Sequence, residues 1–156
     1  MAAWLKIVTM ALRIAQLICA VIIIAIASEY MAGLKDQDAG HLSRFIFTDV
    51  VAAISLFLAF IWLIPFSSNH MNWHLDYILV LLSGAAAGWL IYSSERDCGK
   101  AKLSDSQAVS KGLEEGASVC DKWRALYVSA IISGALWLLS AGVGFFWVKK
   151  HIRTAK

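Results

Sequence analysis

The chain has 156 residues, 60% of them hydrophobic and 16% charged, and a formal net charge of +3. Soluble proteins average about 45–50% apolar residues, so this composition excludes a soluble globule of this size. No basic stretch is interleaved with exposed aromatics, which argues against nucleic acid as a partner.

Four apolar runs, at about 12–30, 45–66, 74–93 and 125–148, are each long enough to cross a bilayer as a helix. They are continuous, without the polar alternation of barrel strands. The sequence therefore predicts an all-α membrane protein, a four-helix transmembrane bundle forming a single domain over residues 1–156. In the first segment Lys6, Thr9, Arg13 and Gln16 follow three- and four-residue steps and share one stripe. That stripe either snorkels to the interface or faces the bundle. Ala25-Ile26-Ala27-Ser28 resembles a cleavage site, but we read the segment as a retained span. Asp49 stands about one turn inside the second span, where a helix dipole favours an acid. Pro65 ends that span. His70 and His74 are read as interfacial, and no cluster around them suggests a metal.

The third span, Trp73 to Cys98, carries Asp76 near its start and the small-residue run Ser83-Gly84-Ala85-Ala86-Ala87-Gly88 in its middle. Gly84 and Gly88 have the spacing that lets a second helix approach closely in lipid. We expect packing against span two or four of the same chain, with a self-association face as the alternative. Gly134 in the fourth span is a further packing position. Arg13 and Asp76 are expected at similar depth, where pairing lowers the cost of both charges; the alternatives are that each snorkels separately to water, or that Arg13 binds a lipid phosphate.

The loop 95–124 balances six basic against six acidic residues. Ser104 to Gln107 has capping-box spacing and predicts a short helix running to about Gly112, and Ser118 to Asp121 repeats it at the start of the last helix. Cys98 and Cys120 lie in this loop near opposite membrane anchors. A disulfide between them places the loop in an oxidising compartment and both termini in the cytosol. Two free thiols in a cytosolic loop is the competing reading. The tail carries Lys149, Lys150, Arg153 and Lys156 without an acid, a basic segment suited to lipid headgroups. Counting Lys and Arg does not settle the orientation.

No nucleophile–base pair or phosphate loop is visible, and the spans contain no C-x-x-C. We therefore expect no enzymatic activity, no cofactor and no metal site.

These features resemble a small MARVEL-domain tetraspan of the fungal kind. The resemblance rests on Arg13-x-x-Gln16 in the first span, Trp73 and Asp76 opening the third, and Cys98 and Cys120 bracketing the long loop before the fourth. It implies a multi-pass protein of the plasma membrane or endomembranes. Such a protein would organise lateral membrane domains or traffic by self-association and lipid contact, with lipids and further copies as partners. The alternative is an accessory subunit of a larger membrane enzyme or transporter.

Overall fold

The computed structural model describes residues 2–33, 42–63, 73–99, 107–114 and 116–154. It contains α1 (Ala2–Gly33), α2 (Leu42–Leu63), α3 (Trp73–Cys98), the short α4 (Ala108–Gly112) and α5 (Val119–Thr154). Four of these are long and apolar enough to cross a membrane, over Ile7–Ala32, Ser43–Leu63, His74–Arg96 and Val119–Phe146. α1, α3 and α5 run past both ends of the expected spans, and α2 begins three residues before its expected start, while residues 64–66 lie outside the described residues. Pro65, His70 and Ser104 lie outside the described residues.

Each long helix buries a stripe that alternates three- and four-residue steps. On α1 it runs Gln16, Ala20, Ile23, Ala27; on α2 Phe45, Thr48, Ala52, Ser55, Ala59. On α3 it runs Asp76, Leu79, Ser83, Ala86, Leu90; on α5 Leu126, Ala130, Ser133, Trp137, Ser140. This is the heptad period of helices that cross at shallow angles. Small residues stand in the middle of every stripe: Ala20 on α1, Ala52 and Ser55 on α2, Ser83 and Ala86 on α3, Ala130 and Ser133 on α5. In lipid, close van der Waals contact between backbones replaces the hydrophobic drive, so small side chains belong there. Large apolar groups such as Phe57, Phe60, Tyr92 and Phe146 point outward.

The helices pack as two pairs, α1 with α2 and α3 with α5, joined most firmly through α1 and α5 and less through α2 and α3. At one end Tyr30 stacks on Phe45 at 4.0 Å between centroids, and Phe45 meets Trp123 edge-on at 4.9 Å. Lys122 Nζ lies 2.9 Å from Glu29 Oε1 there. Cys98 and Cys120 form a disulfide at this same end, with Cα atoms 5.7 Å apart.

Ser118 caps α5: its Oγ accepts from the Asp121 backbone N–H at 3.2 Å and donates to Asp121 Oδ2 at 2.6 Å. The short α4 differs from the sequence expectation. Gln107 is its N-cap rather than an interior position, without a side-chain cap bond. The turn closes instead through Lys111 N to Gln107 O at 3.0 Å. Ser110 Oγ also donates to Gln107 O, at 2.9 Å. α4 lies on α5, with Gly112 buried so closely that a Cβ there would overlap the Cβ of Ala125.

Candidate functional site

At the opposite end, where α1 enters the bundle and α5 leaves it, the buried stripes carry polar residues. Arg13 Nη2 lies 3.1 Å from Asp76 Oδ2 and 3.3 Å from Oδ1, so one nitrogen bridges both oxygens. Arg13 Nη1 donates to Gln16 Oε1 at 3.0 Å. Ser140 Oγ donates to Asp76 Oδ2 at 2.7 Å. Gln16 Nε2 donates to the Leu136 carbonyl at 3.3 Å. Ser140 stands four residues after Leu136, so its hydroxyl could have turned back to that carbonyl. Here the carbonyl accepts from Gln16, and Ser140 is left to satisfy the carboxylate.

The guanidinium also lies against two aromatics, Trp62 and Trp137, whose rings meet edge-on with centroids 5.9 Å apart. Its Cζ sits 4.5 Å from the Trp62 ring centroid and 5.0 Å from that of Trp137. A weakly hydrated, delocalised cation is attracted to an aromatic ring face, which partly replaces lost solvation. The Arg13 and Asp76 side chains are 15% and 5% exposed. Charges this secluded persist only when paired and hydrogen-bonded. The cluster joins all four long helices: Arg13 and Gln16 from α1, Trp62 from α2, Asp76 from α3, and Leu136, Trp137 and Ser140 from α5. Among the described residues the Trp137 Nε1–H has no acceptor.

The remaining positions singled out in the sequence fall elsewhere. Residues 6–143 match the family model of the MARVEL membrane-associating domain. This chain belongs to the MARVEL family. No curated protein and no solved structure matches it. In this MARVEL chain Cys98 and Cys120 are joined, whereas Cys19 is a free, half-buried residue of α1. Gly134 packs on α3, where an added Cβ would sit 3.5 Å from Ser83 Cβ.

Gly84 and Gly88 require a correction. Among the described residues the expected contact with span two or four is not made: an added Cβ at either would meet nothing within 4 Å. Gly84 follows the buried Ser83 by one position and Gly88 precedes the buried Leu90 by two. At about 100° per residue they turn away from the seam. They share the outer face of α3 with Tyr77, Leu81 and Tyr92.

Asp49 is corrected as well. α2 begins at Leu42, so Asp49 lies beyond the first turn, which holds no acid. The N-terminal dipole reading therefore does not apply. Its Oδ1 is buried with no hydrogen-bond partner among the described residues.

Of the basic tail, Lys149 is exposed, with its Nζ 6.0 Å from the Phe145 ring. Lys150 and Arg153 continue α5, and Lys156 lies outside the described residues. Among the described residues, no group of three or more His, Cys, Asp or Glu could hold a metal.

Sequence reasoning did not single out Trp62, Trp137 or Ser140. Serines and tryptophans are frequent in these spans, and nothing along the chain distinguishes those that reach Arg13.

Proposed function

We propose that the chain is a non-enzymatic tetraspan that organises lateral membrane domains or membrane traffic through self-association and lipid contact. The observation that carries this reading is the outer face of α3. There Gly84, Ala85 and Gly88 are exposed between Tyr77, Leu81 and Tyr92, uncovered by the chain's own helices. In a bilayer such a face allows a second helix to approach closely. A second copy is the occupant we assign. Lipid acyl chains cover the other outward faces, which carry Phe57, Phe60 and Phe146. The Arg13–Asp76 charges are spent on neighbouring side chains, which fits a structural role better than a catalytic one.

The orientation belongs to the same proposal. A Cys98–Cys120 disulfide persists in an oxidising compartment, so the disulfide end faces the lumen or exterior and both termini face the cytosol. Lys149, Lys150, Arg153 and Lys156 then meet the anionic cytosolic leaflet, where each basic residue contributes roughly 1 kcal/mol of attraction.

Energy transfer between donor- and acceptor-labelled copies in lipid vesicles tests the self-association. It should exceed random mixing, and Gly84→Leu with Gly88→Leu should lower it several-fold while thermal stability stays unchanged. Wild-type transfer at the random level would sink the reading. A different chain recovered at fixed ratio from gently extracted membranes would favour the accessory-subunit alternative.

A further inference from the structure

Midway along the bundle the helices leave a small space between them. It measures about 10 Å³ as room for the centre of a water-sized sphere, near the least volume that one water needs. Its walls include the hydroxyl residues Thr48, Ser55, Ser83 and Ser133 beside Ala52 and Ala86. The four hydroxyl residues are only 2–4% exposed. Ser83 stands ten residues into α3, about 15 Å along its axis at 1.5 Å per residue. That is roughly half of a 30 Å hydrocarbon core, a depth where bulk water does not reach a hydroxyl.

A buried serine in a helix commonly turns to the carbonyl four residues back. Thr48 does so, donating to Arg44 O at 2.9 Å, and Ser129 donates to Ala125 O at 2.6 Å. Among the described residues, no protein hydrogen bond engages the hydroxyls of Ser55, Ser83 or Ser133, although all three border the same space. Three hydroxyl-bearing residues from three different helices thus border one space where hydrocarbon cannot satisfy a hydroxyl. One water needs two to four polar partners to be held in a protein interior.

We infer that this cavity holds a single structural water, bonded to Ser55 of α2, Ser83 of α3 and Ser133 of α5. Thr48 Oγ1 keeps a lone pair for it as well. The water ties α2 to the α3–α5 pair, and so reinforces the α2–α3 contact, which is sparser than those of α1 with α2, α1 with α5 and α3 with α5. A lipid acyl chain is a poor occupant, because it would leave the hydroxyls of Ser55, Ser83 and Ser133 unpaired.

Water-edited solid-state NMR on the uniformly labelled full chain in bilayers tests this. Magnetisation from water should reach the Ser55, Ser83 and Ser133 side chains several-fold faster than those of Ala87 and Leu90. It should also be several-fold faster than at Ile54, on the exposed side of α2. Ser133→Val, which fills the space and removes one partner, should slow the transfer at Ser55 and Ser83 to the level of Leu90. Equal, slow transfer at the serines and at Leu90 in the wild type would overturn the inference. This wild-type measurement stands even where the variant fails to fold. Equally fast transfer at Ile54 would overturn it too, by showing hydration from the lipid side. So would cross-polarisation from acyl-chain protons to Ser83, which would place a lipid tail in the cavity.

Discussion

Arg13 is the residue on which the terminal end of the bundle depends. Its guanidinium contacts Asp76 and Gln16 and lies against two indole rings that themselves meet edge-on, so no substitution of Arg13 removes only one interaction. Removing either charge leaves the other secluded and unpaired, which typically costs about 3–5 kcal/mol. Arg13→Ala and Asp76→Ala should each destabilise the protein on this scale in detergent denaturation. The double variant should lose clearly less than the sum, and strict additivity would show that the two are not coupled. Ser140→Ala removes a hydrogen bond to a carboxylate and should cost about 1.5–3 kcal/mol. Arg13→Lys keeps the charge but loses the planar group that spans Gln16, Asp76 and the rings, so it should not restore full stability.

α3 and α4 use glycine in opposite ways. On α4, Gly112 is required because Ala125 and the Asp121 carbonyl stand where a side chain would go. Both belong to the backbone-fixed surface of α5 and cannot swing aside. Gly112→Ala should therefore lift α4 from α5 and cost about 1–3 kcal/mol, the usual range for overpacking. Faster proteolysis within the loop 95–124 would report the displacement. On α3, Gly84→Ala and Gly88→Ala meet open space. They should leave the stability of the single chain unchanged or slightly raise it, since alanine is the better helix former. A loss of more than about 1 kcal/mol in monomeric detergent complexes would mean that this face is covered within the chain. Gly134→Ala, at ordinary contact distance from Ser83, should be tolerated.

The whole molecule is held at two ends by different chemistry. The disulfide end combines a covalent link with the Tyr30, Phe45 and Trp123 rings and the Lys122–Glu29 pair. The terminal end relies on the buried ion cluster. Cys98→Ser with Cys120→Ser opens a loop closed over a sequence separation of 22 residues. In the chain-entropy view this should lower stability by about 3 kcal/mol, read by chemical denaturation under non-reducing conditions. Because the ends are far apart, the Arg13–Asp76 coupling energy should be the same with and without the disulfide. A changed coupling would show that the two ends act as one unit.

Helix number, helix class and approximate spans were legible along the chain, because crossing hydrocarbon demands long apolar runs with internally satisfied backbones. The Ser118 cap was equally legible, since a cap is set by residues three apart. The polar stripe of Arg13 and Gln16 was visible as a period, but two orientations fitted it. Tertiary packing turned it inward, because Asp76 and Ser140 from other helices stand ready to compensate the charge. Packing likewise decided that the seam of α3 runs through Ser83 and Ala86 rather than Gly84 and Gly88. A helix with small residues on several sides offers several close approaches, and only the position of α5 selects among them. The hydroxyls of Ser55, Ser83 and Ser133 are unremarkable along the chain. Their convergence exists only where three helices meet, a separation in sequence that no local period records.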